Sequence, residues 1–112
     1  MRKKLRRSCV TEAELQRAVL DLGKRYGWVS FHVPDSRRVT ARGMPDLVMI
    51  NEAQSRVLFA ELKTTKGKLR PEQVFWLRVL GNAGVETAVW RPEDLIGVVP
   101  AALRPRSRAA LP

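Results

Sequence analysis

Leu47-Val48-Met49-Ile50, the polar break Asn51-Glu52-Ala53-Gln54-Ser55, and then Val57-Leu58-Phe59-Ala60-Glu61-Leu62-Lys63 form the stretch on which the fold turns. Two short apolar runs of strand length, joined by a hairpin-length link, read as a pair of strands. Neither run alternates with polar residues, which is the pattern of central strands covered on both faces. Gly43-Met44-Pro45-Asp46 leads into the first run, and Glu61 and Lys63 close the second.

Outward from this pair, the chain alternates helix and strand signals. Thr11-x-x-Glu14 is a capping-box pattern, and Leu15, Ala18, Val19 and Leu22 make one apolar stripe, so a helix is expected to run to about Tyr26 and stop at Gly27. Trp28 to Val33 is rich in aromatic and β-branched residues and reads as a strand. Pro34 to Arg42 and Thr64 to Arg70 are polar, basic loops. Pro71 opens a second helix with Val74, Leu77, Val79 and Leu80 as its buried positions, ending near Gly81-Asn82. Val85 to Trp90 is a last strand, and Pro92 to Leu95 starts a short turn. The trio Trp28, Trp76 and Trp90 is assigned to the core. The fold class is therefore α/β, a mixed sheet flanked by helices in the order α-β-β-β-α-β.

A chain of 112 residues holds one core. Three segments are expected: a basic arm over 1–10, one domain over 11–99, and a basic, disordered tail over 100–112. The net charge of +10 sits mainly at the two ends, because Arg2, Lys3, Lys4, Arg6, Arg7, Arg104, Arg106 and Arg108 leave 13 basic against 11 acidic residues between them. Basic arms without compensating acids suit a polyanion such as DNA. The alternative is a solubilising tail. Cys9 is the sole cysteine, which excludes an internal disulfide and a cysteine-rich zinc site. No run reaches the length of a membrane helix, and no apolar segment follows the basic N-terminus. The expected setting is the cytoplasm, with no membrane partner.

Glu61 and Lys63 are two residues apart on one strand and so share a face with Phe59. If the two runs pair as a hairpin, Asp46 at the start of one lies near Glu61 at the end of the other. Two carboxylates forced together repel, and a hard divalent cation relieves that repulsion. Lys63 adds a compact positive charge suited to a water or a phosphate. On these three residues alone an Asp in a turn and a Glu–Lys pair on a solvated strand end remain an equal reading.

Gly43-x-Pro45-Asp46-Leu47, Glu61-Leu62-Lys63, and Gln73 with Trp76 and Leu80, in this order and spacing, resemble the PD-(D/E)XK nucleases, and most closely the VRR-NUC family. The resemblance runs from about Thr11 to Asp94 and takes in Glu12-x-x-Leu15-Gln16. It implies a restriction-endonuclease-like fold and Mg²⁺- or Mn²⁺-dependent hydrolysis of DNA. It also implies that Asp46 and Glu61 are metal ligands, with the Leu62 carbonyl as a further one. Lys63 takes the place of the catalytic lysine, and Gln73 points into the site. Family members carry an acid on the first helix that reaches the metal directly or through water. Glu12 and Glu14 both offer one; Glu14 has the capping box to serve, so Glu12 is preferred. Arg37, Arg38 and Arg42 in one loop, with Lys66, Lys68 and Arg70 in another, are candidate backbone contacts, which position DNA without reading sequence. By family analogy the substrate is a junction, a flap or other branched DNA, the products carry a 5′-phosphate and a 3′-hydroxyl, a homodimer would cut two strands, and phage-infected or bacterial cells are the natural host. Two rival readings stay open: a non-catalytic basic module that binds nucleic acid, and a nuclease subunit active only with a partner. His32, the sole histidine, is given no part in the reaction.

Overall fold

The computed structural model of the chain describes residues 10–33 and 41–106. The basic arm over 1–9, the candidate contacts Arg37 and Arg38, and residues 107–112 lie outside the described residues. Helix α1 (Glu12–Arg25) begins at the expected capping box, with the Glu14 amide donating to Thr11 Oγ1 at 3.1 Å and the Thr11 amide donating to Glu14 Oε1 at 2.9 Å. It ends at Tyr26, and Gly27 follows in the left-handed region at φ +88°, which a glycine tolerates at no steric cost.

Strands β1 (Val29–His32), β2 (Leu47–Asn51), β3 (Arg56–Leu62) and β4 (Glu86–Trp90) form one sheet in the order β1-β2-β3-β4. The first three meander antiparallel; β4 returns parallel to β3 through helix α2 (Pro71–Asn82). A parallel neighbour needs such a crossover, and the Thr64–Arg70 loop plus α2 supplies it. The expected order α-β-β-β-α-β is observed.

The pleat sorts the strands into two faces. Leu47, Met49, Leu58, Ala60 and Leu62 point to one side and join Leu15 and Val19 of α1 and Trp28 and Trp90 in the core. On the opposite face the coverage differs from the expectation of strands buried on both sides. Helix α2 packs mainly against β4, and Val29, Phe31, Ile50 and Val57 are 71%, 58%, 44% and 45% exposed. The inward face of α2 is only in part the expected one. Val74 and Val79 are exposed, whereas Gln73 is buried and Leu77 and Leu80 are half-buried, a spacing of four and three that marks one helical stripe. Trp76 is half-buried, its indole N–H donating to the Arg42 carbonyl at 2.9 Å.

The domain boundary at residue 99 needs correction. After the 3₁₀ turn Pro92–Asp94, helix α3 (Val98–Leu103) packs on α1 and buries Val99 and Leu103 completely. Trp28 Nε1 donates to the Leu103 carbonyl at 2.7 Å. Arg56, 8% exposed, holds the same corner: it donates to both carboxylate oxygens of Glu86 (2.9 and 2.8 Å) and to the Ala102 carbonyl (2.7 Å), and lies over the Trp28 ring. Residues 100–103 therefore belong to the folded unit and not to a tail.

Candidate active site

The β2–β3 register pairs Leu47 with Ala60. One step beyond that pair, Asp46 stands opposite Glu61, and the pleat puts both on the face that α2 approaches. The turn before β2 fixes this approach. Gly43 has φ +91°, and a Cβ there would lie 2.6 Å from the Glu72 backbone carbonyl carbon in the first turn of α2. Glycine lets the Gly43–Asp46 turn and the start of α2 touch, backbone to backbone. Asp46 Oδ2 accepts the Leu62 amide at 2.8 Å, which ties the carboxylate to the end of β3.

Glu61 is 2% exposed. Its Oε2 accepts from Gln73 Nε2 at 2.9 Å, and Gln73 Oε1 in turn accepts the Arg70 amide at 2.8 Å, so one side chain caps α2 and holds the acid. Lys63 Nζ lies 4.0 Å from the same Oε2. Glu61 Oε1 is buried and has no hydrogen-bond partner among the described residues. Burial pushes the Glu61 carboxyl up to about 8, and the adjacent Asp46 carboxylate pushes the same way; Lys63 opposes them, and Glu12 adds a smaller upward push. Asp46 is close enough to take a hydrogen bond from Glu61 when that acid is protonated. An ionised Glu61 would leave a buried oxygen facing another carboxylate, a costly arrangement without a cation. The donor set, two carboxylates with one oxygen unsatisfied, fits a hard divalent ion that keeps part of its water shell.

These groups line a cleft of about 440 Å³. Glu12 reaches it from α1, whereas Glu14 is engaged in the capping box. Lys68 and Arg70 reach it from the loop after β3; Lys66 and Arg42 lie outside its lining. The structure thus brings together Asp46, Glu61, Lys63, Gln73 and Glu12. Among the described residues, no three His, Cys, Asp or Glu side chains are grouped closely enough to hold an ion by themselves. The fit therefore rests on Asp46 and Glu61 together with non-acidic ligands and water. His32, Val33 and Met44 also line the cleft, a placement that follows from β1 ending beside Asp46, where the Val33 amide donates to the Asp46 carbonyl at 2.8 Å. Sequence reasoning passed over Arg91, which supports the loop behind the cleft through contacts more than twenty residues away.

No helix among the described residues is long and apolar enough to cross a membrane. The model of the VRR-NUC domain matches residues 7–93. Two solved structures are similar in fold. One, described as a VRR-NUC domain, has a TM-score of 0.63 at 20% identity, over 75% of this chain and 88% of the other. The second, a VRR-NUC domain protein, has a TM-score of 0.62 at 23% identity, over 92% and 93%. No curated protein matches the chain at a significant level.

Proposed function

The chain belongs to the VRR-NUC domain family, a family of nucleases, and from that premise we propose that it is a divalent-metal-dependent endonuclease hydrolysing DNA phosphodiester bonds. The observation that carries this reading is the buried Oε1 of Glu61, unpartnered among the described residues, beside the Asp46 carboxylate in an open cleft. Asp46, Glu61 and the Leu62 carbonyl are the residues that would hold Mg²⁺ or Mn²⁺. Such an ion supplies Lewis-acid neutralisation of phosphate charge and makes a nearby water more acidic.

The protein's own groups divide the remaining work. Gln73 fixes Glu61 through Oε2 and so leaves Oε1 free for a ligand. The Leu62 amide orients Asp46 in the same way through one oxygen. Lys63 brings an ammonium beside the two acids, where it can orient the attacking water and donate to the scissile phosphate. Glu12 faces the cleft from the other side and adds a negative charge that favours a cation. Lys68 and Arg70, with Arg42 and Lys66 beyond them and Arg37 and Arg38 earlier in the sequence, contact the flanking backbone. Contacts of that type read shape more than sequence. In-line attack would leave a 5′-phosphate and a 3′-hydroxyl on a junction, flap or branched substrate, and two chains paired would present one centre to each strand.

The test is cleavage of end-labelled duplex, flap, four-way junction and single-stranded DNA with Mg²⁺, Mn²⁺ or EDTA, with Lys63→Ala in parallel. Wild-type protein should cut at least one branched substrate with either metal, and EDTA or the substitution should abolish cutting while leaving most of the binding. Cutting that survives in Lys63→Ala would sink the proposed mechanism. Salt-sensitive binding without cutting under any condition would favour a purely binding module.

A further inference from the structure

The loop that follows Lys63 is held in place from below by a residue of the neighbouring strand's end. Arg91 directly follows Trp90, the parallel partner of Leu62, and the Trp90 carbonyl accepts the Lys63 amide at 3.0 Å. Arg91 Nη1 donates to two carbonyls of the loop, Thr64 at 2.8 Å and Gly67 at 2.6 Å. Thr65 Oγ1 donates to Glu93 Oε1 at 3.0 Å, a third tie between the same two segments. The loop is tight. A Cβ on Gly67 would lie 2.9 Å from Thr64 Oγ1 and 3.5 Å from Lys63 Cδ, so the Gly67 backbone packs against the stem of the lysine.

The geometry points to Arg91 as a positioning residue of the cleft, one that shapes the Thr64–Lys68 loop so that Lys63 and Lys68 face the bound phosphate backbone. A guanidinium is suited to this task. It is planar and always charged, and the two N–H bonds of Nη1 are fixed in its plane, one for each carbonyl, whereas an ammonium offers one mobile point charge. Hydrogen bonds from a charged donor are also stronger than neutral ones, so two carbonyls turned inward define the loop's shape. Without Arg91 the loop would still close on its own Gly67 amide to Thr64 carbonyl bond, 3.1 Å, but the support under Lys63 would be lost. A displacement of about an ångström at a reacting group can cost on the order of a hundredfold in rate.

This inference rests on the nuclease reading, and its test separates the two. Arg91→Ala and Arg91→Lys are compared with wild type on the substrate that wild type cuts best. Arg91→Ala should lower kcat by roughly 10- to 100-fold with KM changed far less, Arg91→Lys should recover part of the loss, and millimolar guanidinium should restore activity to Arg91→Ala. A residue that only stabilises the fold would not give that rescue, since guanidinium weakens folding. Arg91→Ala with kcat within twofold of wild type overturns the inference. So does a loss that merely follows the fraction unfolded and is unaffected by guanidinium. If wild type cuts nothing, the nuclease reading fails, and amide exchange then decides on the clamp by itself. Faster exchange at Gly67 in Arg91→Ala upholds it, and unchanged exchange ends it.

Discussion

Glu61→Gln is expected to make the metal-free protein more stable while removing its response to metal. With a native carboxyl pushed to about 8 against an ordinary 4.5, Glu61 is protonated in the folded state and ionised in the unfolded one across neutral pH. The native state then binds more protons than the unfolded state, so stability is full below 4.5, falls as pH rises, and levels off above 8. At pH 7 the 2.5 units between 4.5 and that pH correspond to about 3 kcal/mol. Solvent screening in the open cleft reduces this, so about 2 kcal/mol is the expected gain for a glutamine, which mimics the protonated acid. The amide introduced by the substitution can still accept from Gln73 and can donate to Asp46, as the protonated acid does. In a small domain that gain raises Tm by roughly 10 °C. The assay is urea unfolding in EDTA from pH 5 to 9, followed by tryptophan fluorescence. The difference between the two curves isolates Glu61. That difference should widen up to pH 8 and then hold. Saturating Mn²⁺ should reverse the order by stabilising wild type alone. Parallel curves across the range, or a less stable Glu61→Gln at pH 8, would refute the reasoning.

Two further outcomes follow from geometry away from the acids. Gly43→Ala places a methyl 2.6 Å from the Glu72 carbonyl carbon at a residue with φ +91°; a loss of about 2 kcal/mol or more is expected, with weaker metal binding by titration because Asp46 and Gln73 move apart. The Arg56 guanidinium bonded to Glu86 holds that carboxyl below its ordinary 4.5, so this contribution is present above 4.5 and is lost as pH falls further. Glu86→Gln should therefore flatten the acid limb of the stability curve, and an unchanged acid limb would count against the pair.

The central strands and the grouping of Asp46, Glu61 and Lys63 at one end of the sheet were readable from sequence because both depend on local pattern. Two apolar runs with a hairpin link fix which residues face which, and Asp46, Glu61 and Lys63 follow from that register. The capping box likewise settles Glu14 and frees Glu12 within four residues. What escaped depends on distant partners. The segment from Pro100 onward is rich in proline, arginine and alanine, so its composition reads as a tail; proline is tolerated in α3 because the first turn of a helix has no intrahelical acceptor for its N–H. Partners far away in sequence, among them α1, Trp28 and Arg56, turn that segment into core. On α2 the apolar residues misled, because the inward stripe begins with a polar residue, Gln73, whose partner Glu61 is reached across the fold. Arg91 gave no signal, since a lone arginine after a strand is ordinary and its acceptors lie 24 and 27 residues away.

The bond from the Leu62 amide to Asp46 Oδ2 has a mechanical consequence. Beyond the last β2–β3 pair the next acceptor along the ladder would have to come from the Gly43–Asp46 turn, and a side-chain oxygen takes that place instead. The acid is thereby a stitch in the weave of the sheet. A slip of one residue between β2 and β3 would carry it to the other surface of the molecule, so the centre keeps or loses its shape together with the whole scaffold, while the loops around it are free to vary.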